Sequence, residues 1–352
     1  MDKELLVKTV KGDGGVPIIS GVDLSGNNYQ GADLSGGSFT KVDFSGADLS
    51  KAYLKECNFV DCIFTGANLD NVDLTLASFV NPIFKNARIN KAIFSYSNFI
   101  DGDFKKTDMT GSSMTNTSFI NPDMRDAIFV NIKTENTNFL NAKLDNADFS
   151  HSEQYRSNFL EPELRGIKFA AAKLDIVFFM KPDFSTYDFT GVTLIMCQFM
   201  EANLAQAKFT GMDVTQSGFS GADLSGADFS GAIANNCLFI KAITKGAKFN
   251  KAELKQAMFN EANASLCDFT LAKMEQAQFT KANCEGALFT KADLTYVDFS
   301  HANLENALID KAELYRANLH EIKQDNAIWD GSNKSAALPT DEKKAKAENF
   351  AA

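Results

Sequence analysis

Large apolar residues recur at every fifth position along most of the chain. From Leu24 to Trp329 nearly every residue whose number ends in 4 or 9 is large and apolar, and 29 of the 31 phenylalanines occupy these positions. A period of five matches neither the 3.6 residues of a helical turn nor the 2.0 residues of a strand. It is satisfied if each pentad forms one side of a coil and four pentads close a square turn. The pattern therefore predicts an all-β solenoid of about 15 coils.

Each pentad has a second inward position, two residues before its large centre. This position is mostly alanine, with cysteine, serine, threonine, valine or proline as substitutes, and the outward positions are mostly polar. Residues 221–230, which read GADLSGADFS, resemble the pentapeptide-repeat family, whose units read Ala-(Asp/Asn)-Leu-x-x. The register runs without a break over residues 21–330. The resemblance implies a single right-handed quadrilateral β-helix.

The turn of twenty residues predicts which centres stack on one another. One side of the square carries Phe39, Phe59, Phe79, Phe99, Phe119, Phe139, Phe159, Phe179, Phe199, Phe219, Phe239, Phe259, Phe279 and Phe299. The opposite side carries Phe129, Phe149, Phe169, Phe189, Phe209, Phe229, Phe249, Phe269 and Phe289, and the other two sides are mostly leucine. We expect the rings to stack at the spacing between strands, in a rod roughly 75 Å long at about 4.8 Å per coil.

The two ends of the chain depart from the repeat. Residues 1–20 lack the period, and we expect their apolar side chains to cap the first coil as a strand or short helix. Trp329 occupies the last centre and is expected to plug the core. Residues 331–352 are typical of a flexible tail or of a short helix that Thr340 would cap. The predicted organisation is a cap (1–20), one β-helix (21–330) and a tail (331–352).

Composition indicates the cellular setting. The 352 residues include 45 acidic and 35 basic side chains, which gives a net charge of −10 at pH 7. The chain shows neither a signal peptide nor a run of about 20 apolar residues, so we expect a cytoplasmic bacterial protein without a membrane span. The six cysteines lie in inward positions without CxxC spacing. That placement predicts reduced thiols that fill the core.

The sequence offers little that is typical of catalysis or ligand binding. His151, His301 and His320 all fall in outward positions, without a carboxylate or cysteine arrangement typical of a triad or a metal site. The glycines lack the spacing of a nucleotide-binding loop, and no basic stripe indicates nucleic acid. We therefore expect no catalytic residues, no cofactor, no metal, no small-molecule substrate and no direct contact with nucleic acid.

Two centres break the apolar pattern. Thr134 and Gln154 are polar and lie one coil apart on the same side of the square. Buried polar groups need hydrogen-bond partners. The pair is therefore expected either to form hydrogen bonds across coils or to mark a distorted corner.

An outward position carries the candidate binding residues. The position just after the long phenylalanine column is polar near both ends of the chain, as at Thr40 and Ser300. In between, eight successive coils carry Val60, Val80, Ile100, Ile120, Leu140, Leu160, Met180 and Met200, which we call the apolar stripe. Such side chains can simply favour an exposed β-ladder. A contiguous apolar stripe on a polar surface is also typical of a protein interface.

Three functions follow as hypotheses. The first is a non-catalytic scaffold that docks a protein partner, or a second copy of itself, through the apolar stripe. The second is a DNA-mimicking modulator of type II topoisomerases, as in some proteins that the chain resembles, although its acidic and basic residues are interspersed. The third is an accessory or effector of type VI secretion, because residues 327–334 and 345–350 are similar to the close of pentapeptide proteins associated with that system. Competition with DNA for gyrase and the genomic neighbourhood, respectively, would test the last two.

Overall fold

The chain forms an all-β parallel solenoid in each of two compact units, as the sequence predicts. The computed structural model describes residues 1–12 and 18–351, with Asn349 and Ala351 by their backbone alone. The chain divides into a first compact unit, Met1–Pro182 with Gly191–Thr193, and a second, Asp183–Thr190 with Leu194–Ala352. In each unit a residue pairs with the one twenty positions later. Four such parallel ladders, one for each pentad of the turn, make the four sides of a coil.

Most of the strands lie in the first unit, where they follow helix α1 (Lys3–Val10). One parallel sheet contains, in this order, β1 (Ile18–Ser20), β2 (Ser38–Thr40), β3 (Asn58–Val60), β4 (Ser78–Val80), β5 (Asn98–Ile100), β7 (Ser118–Ile120), β9 (Asn138–Leu140), β11 (Asn158–Leu160) and β13 (Phe178–Met180). A second sheet contains β6 (Ser113–Thr115), β8 (Lys133–Glu135), β10 (Glu153–Tyr155) and β12 (Lys173–Asp175). The remaining elements are β14 (Thr193–Ile195), β15 (Gln198–Met200), a 3₁₀-helix (Lys334–Ala336) and helix α2 (Glu342–Ala351).

The register between coils is twenty residues in both units. In the first unit the strands of the longer sheet mark successive turns, with Phe39 opposite Phe59. In the second unit single-residue bridges keep the same register, as between Asp183 and Asn203. Strands therefore mark about nine turns rather than the fifteen coils that the sequence predicts. The reason is that in the second unit the ladder is mostly one residue wide on each side of the coil.

Phenylalanine rings fill the interior in stacks. Consecutive rings of one side lie nearly parallel, as Phe39 and Phe59 do with centroids 4.9 Å apart. Rings of neighbouring or opposite sides meet edge to face, as Phe139 and Phe149 do at 6.1 Å. Both geometries suit the charge distribution of the ring. Between residues 44 and 104 the second stack lies on a neighbouring side, in Phe44, Phe64, Phe84 and Phe104, and from Phe129 it lies on the predicted opposite side.

Polar substitutes in the small inward position bond to the backbone. The hydroxyl of Thr117 donates to the carbonyl of Phe94 at 2.6 Å, and the thiol of Cys57 donates to the carbonyl of Leu34 at 3.0 Å. All six cysteines are buried. Burial raises the pKa of the Cys57 thiol to about 12. These thiols are core residues, because a buried thiol with a raised pKa forms little of the reactive thiolate.

Each pentad turns its corner through the left-handed region of the backbone. The residue two positions after the centre has a positive φ, for example 58° at Asn71 and 61° at Lys251. Glycine adopts this conformation freely and asparagine tolerates it, whereas other residues lose about 1–2 kcal/mol there. The frequent glycine and asparagine at this position therefore have a backbone cause. Leucine, tyrosine and isoleucine also occur there, and at those corners the backbone is strained.

Relieving one strained corner should stabilise the fold. Leu76 has a φ of 61° and a side chain that is 53% exposed. We expect Leu76→Asn to raise the free energy of unfolding by about 1 kcal/mol, measured from the midpoint in denaturant. In the control Ile83→Asn, an exposed apolar residue outside the left-handed region is replaced, and no gain is expected. Equal gains in the two variants would contradict the role of the backbone.

The N-terminal helix covers the first coils. Asp2 caps α1 by accepting the amide of Leu5 at 2.8 Å, and Leu6 and Val10 are buried. The hydroxyl of Tyr29, a buried centre, donates to the carbonyl of Met1 at 2.8 Å. A short helix thus lies where the sequence predicts a cap. Residues 13–17 of that predicted cap lie outside the described residues.

At the other end the coil continues beyond the predicted boundary at residue 330. The amide of Leu338 donates to the carbonyl of Ala317 at 2.8 Å, which keeps the ladder register. Trp329 is half-buried rather than enclosed. The ammonium of Lys334 lies 4.0 Å from the centre of its ring, a cation–π contact. The ring of Trp329, in the last core position, is therefore covered by the side chain of Lys334.

The C-terminal segment is helical. Asp341 supplies the cap of α2 by accepting the amide of Lys343 at 2.9 Å. Thr340, the predicted cap, instead accepts the amide of Glu321 at 3.1 Å and so holds the segment to the coil. Ala352, the last residue of the predicted tail, lies outside the described residues.

Candidate interaction surface

The apolar stripe runs along the longer sheet. In the first unit, Val60, Val80, Ile100, Ile120, Leu140, Leu160 and Met180 end the strands β3, β4, β5, β7, β9, β11 and β13, each in register with the next. Met200 ends β15 in the second unit. The seven side chains of the first unit are half-buried, and Met200 is 40% exposed. The sequence predicts a solvent-exposed outward position, and the half-burial arises because each side chain packs against its ladder neighbours.

The positions beside the apolar stripe form their own hydrogen-bonded ladders. On the strands themselves, the amide group of Asn158 donates to Asn138 Oδ1 at 2.7 Å. Along the corner, Asn121 donates to Asp101 at 3.0 Å and is itself the acceptor for Asn141 at 3.0 Å. These polar groups bond to one another from coil to coil. A partner would therefore bind apolar side chains that are already ordered, so little conformational entropy would be lost on binding.

The shorter sheet carries a shallow groove of about 540 Å³. Its lining residues are Ser113, Thr115, Lys133, Thr134, Glu135, Glu153, Gln154, Tyr155, Lys173 and Asp175. The ammonium of Lys133 lies 3.4 Å from Glu153, and that of Lys173 lies 3.4 Å from Asp175. Positive and negative groups thus pair with each other. The groove shows no set of groups converging on one reacting atom.

The two polar centres beneath this groove find different partners. The hydroxyl of Thr134 lies 2.7 Å from that of Ser157, in the next coil. Gln154 donates to the hydroxyl of Ser152, in its own pentad, at 3.3 Å. The amide oxygen of Gln154, Oε1, is buried without a hydrogen-bond partner among the described residues. Bonding across coils, one of the two predicted outcomes, therefore applies to Thr134 and not to Gln154.

An apolar residue at position 154 should stabilise the first unit. Gln154→Leu removes a buried acceptor without a partner and loses only the long 3.3 Å hydrogen bond to Ser152, and the next coil already carries leucine at this position, Leu174. We expect the free energy of unfolding to rise by about 1–3 kcal/mol, measured in denaturant. The matched variant Thr134→Val should lower it, because Ser157 would lose its partner. A loss of stability in Gln154→Leu would contradict this account.

Several acidic residues are paired with basic ones in both units. Lys105 lies between Asp103 and Asp123, at 2.9 and 3.2 Å, and Arg125 lies 2.7 Å from Asp123. Hydrogen bonds from Arg125 and Lys105 lower the pKa of Asp123 to about 2. In the second unit, Lys255 pairs with Glu275 at 2.9 Å. Such neutralised columns do not present the unbroken row of anionic groups that imitates a phosphate backbone.

The histidines differ from the expectation for outward positions. His151 is exposed, His301 is half-buried and His320 is only 2% exposed. The ring of His320 lies 3.0 Å from Glu348 of α2, and that of His301 lies 3.4 Å from both Glu321 and Glu348. The prediction that no histidine has a carboxylate arrangement is therefore wrong for these two. Sequence reasoning missed the cluster because Glu348 belongs to the tail, outside the repeat register.

Two further properties bear on the setting of the protein. In the part of the chain that the structure describes, neither helix has the length and apolar character required to cross a membrane. The cysteines are buried in the core.

Comparison with known protein families finds the same repeat. A family model described as a pentapeptide repeat region matches residues 37–114. Another, described as pentapeptide repeats (8 copies), matches residues 18–55, 197–239, 245–276, 272–310 and 287–323. Together the two cover more than half of the chain. No curated protein matches it.

Several solved structures are similar to this chain. HetL, a pentapeptide repeat protein involved in heterocyst differentiation regulation from the cyanobacterium Nostoc sp. strain PCC 7120, is 17% identical, with 97% of this chain and 98% of HetL covered and a TM-score of 0.22. QnrB1, a plasmid-mediated fluoroquinolone resistance protein, is 18% identical, with 62% and 94% covered and a TM-score of 0.28. A protein of the Arabidopsis thaliana thylakoid lumen is 25% identical, with 39% and 74% covered and a TM-score of 0.16.

Proposed function

The chain belongs to the pentapeptide-repeat family, and we propose that it is a non-catalytic interaction protein. In this proposal the apolar stripe docks a protein partner or a second copy of the chain. The observation that carries the proposal is the run of seven large apolar side chains from Val60 to Met180 on the outward side of one continuous sheet.

The chemistry of the apolar stripe suits a protein more than a small molecule. Its half-buried side chains follow one another along a β-ladder, whereas ligand pockets bury most of a small molecule in a cavity. The exposed apolar areas of successive side chains add up along the apolar stripe. Apolar area removed from water contributes about 25 cal/mol per Å². A flat partner surface, such as a second apolar ladder, would cover the apolar stripe along its length.

A non-catalytic role agrees with how the polar groups are used. The interior is filled by rings and small side chains, and both lysines that line the groove form ion pairs with acidic residues of its lining. Catalytic groups need to converge on one reacting atom within a water-excluding site. The groove over the shorter sheet is open and offers no such arrangement among the described residues.

The ion pairs favour the interaction protein over a topoisomerase modulator that imitates DNA. QnrB1, a similar protein, is a fluoroquinolone resistance protein. In this chain, however, carboxylates such as Asp123 and Glu275 are paired with Arg125 and Lys255. A DNA-like surface would need those charges uncompensated, so we favour docking through the apolar stripe. We place the protein in a reducing compartment, the cytoplasm of a bacterium, because Cys57, Cys62, Cys237, Cys267 and Cys284 are free thiols in the core.

The test of the proposed function is whether charge placed in the apolar stripe abolishes association without unfolding the protein. Self-association is measured by sedimentation, and partner binding is measured by capture from the native cytosol with wild type and variant as paired baits. The variant and its matched control are described in the Discussion. Competition of the purified protein with DNA for gyrase tests the topoisomerase alternative separately.

A further inference from the structure

Two histidines and two glutamates come together at the C-terminal end of the second unit. His301 and His320 are nearly one coil apart in the sequence, and their ring centroids are 5.2 Å apart. Glu321 follows His320 on the same corner, and Glu348 reaches the cluster from helix α2. One ligand-type atom from each of the four residues lies within 4.8 Å of the others. Side chains from two separate elements thus converge on one small volume.

The glutamate of the helix is held by three cationic or donor groups. Glu348 lies 3.0 Å from His320, 3.4 Å from His301 and 3.6 Å from Lys344. The hydrogen bond from His320 lowers the pKa of Glu348. The carboxylate is therefore ionised at neutral pH, in the form that binds a cation.

The spacing of these atoms matches a tetrahedral metal centre. Two ligands about 2.1 Å from a zinc ion in that geometry lie about 3.4 Å from each other. His301 Nε2 lies 3.4 Å from Glu348 Oε2, at that spacing, and Glu321 contributes a carboxylate oxygen within the 4.8 Å that encloses the cluster. We propose that His301, Glu321 and Glu348 bind a divalent transition metal ion of the zinc class, which fastens α2 to the last coils.

The hydrogen bonds of the two histidines assign their roles. His320 Nδ1 accepts the amide of Asp341 at 3.1 Å, so its proton lies on Nε2 and is donated to Glu348. That nitrogen has no lone pair to offer a metal, so His320 is a positioning residue that orients the carboxylate. His301 has a carboxylate beside each of its nitrogens, and a neutral imidazole can donate to only one of them. With the proton on Nδ1 donated to one oxygen of Glu321, a metal ion on Nε2 would be bound by Glu348 and by the other oxygen of Glu321.

The ligand set defines the class of ion. One imidazole and two carboxylates suit zinc, cobalt or nickel better than calcium or magnesium, which prefer oxygen ligands alone. Three protein ligands leave a coordination position for water. The site involves no residue of the apolar stripe, so its test stands apart from that of the proposed function.

Cobalt(II) is the probe for the experiment, because its visible absorption reports on the ligand geometry. The full chain, with any affinity tag removed, is titrated with cobalt at neutral pH and the ion is then displaced with zinc. We expect one cobalt per chain, with the absorption of a low-coordinate nitrogen and oxygen site. In Glu348→Gln and in His301→Ala the affinity should fall by more than the roughly 10–100-fold that the loss of a supporting partner costs.

The control is His151→Ala, which removes an exposed histidine of the first unit and should bind cobalt as wild type does. As a second readout, zinc should slow proteolysis within residues 341–351, chelation should reverse the effect, and Glu348→Gln should show no protection by zinc. Glu348→Gln is nearly isosteric and lies on the surface helix, so it is expected to fold. Absence of stoichiometric cobalt binding, or equal affinity in wild type and both cluster variants, would overturn the metal site and leave a cluster held by ion pairs alone.

Discussion

Phe159→Ala is expected to lower the free energy of unfolding by about 3–5 kcal/mol. The ring of Phe159 is fully buried and lies between those of Phe139 and Phe179, with centroids 4.8 and 5.0 Å away. It also meets Phe149 edge to face at 5.9 Å. Removing it leaves a cavity in a stack whose members are fixed by the backbone register, so the neighbours cannot collapse to fill the space. The measurement is denaturant unfolding followed by a backbone signal.

The control for this prediction is Lys143→Ala. Lys143 is exposed and outside the left-handed region, so its loss should change the stability by no more than about 0.5 kcal/mol. Asn141, although equally outward, would be a poor control, because its φ is 50° and alanine would be strained there. If Phe159→Ala and Lys143→Ala shifted the midpoint equally, the inward direction of the phenylalanine column would be wrong.

Ile100→Lys combined with Leu140→Lys is expected to abolish association through the apolar stripe. Each lysine would bring an unpaired charge into a covered apolar surface, at a cost of several kcal/mol per group. The two sites are separated by Ile120 in the ladder, so the new charges are not adjacent. Both positions are half-buried, and lysine can cover the ladder with its stem while its ammonium reaches water. The thermal midpoint should therefore stay near that of wild type.

The matched control places the same charges elsewhere on the first unit. Ile83 and Ile128 are 36% and 39% exposed and lie outside the apolar stripe. Ile83→Lys with Ile128→Lys should leave sedimentation and partner capture unchanged. Loss of association in both double variants would indicate a nonspecific effect of charge. An unchanged midpoint with unchanged association in the Ile100 and Leu140 variant would leave the apolar stripe as ladder packing only.

The fold follows from the sequence because the repeat is local and unbroken. A period of five residues with two inward positions allows one kind of coil, and twenty residues per turn fix which centres stack. The buried rings of Phe39 and Phe59 are in contact for that reason alone. The buried thiols could be predicted in the same way, because Cys57 occupies the small inward position, which is alanine in most pentads. The family resemblance and the family models agree with this interpretation.

The candidate sites were predicted only in part. The sequence places Val60 to Met200 on one outward line, yet the half-burial of its first seven members depends on contacts between ladder neighbours. The apolar pattern marks Gln154 as a polar centre but does not show that its Oε1 has no partner, which depends on side-chain directions in adjacent coils. The function of the apolar stripe remains a prediction that the experiments above test.

The sequence by itself determined the coil, its register and its core, because a short period restricts the backbone to one repeating geometry. Only the tertiary structure decided the arrangement at the C-terminal end. There Glu348, outside the repeat, comes beside His301 and His320 because α2 begins at the cap formed by Asp341 and Thr340 binds Glu321. No period relates residue 348 to residue 320. A contact between an aperiodic tail and a periodic surface depends on where the chain turns back, and such a turn is set by a few long-range hydrogen bonds.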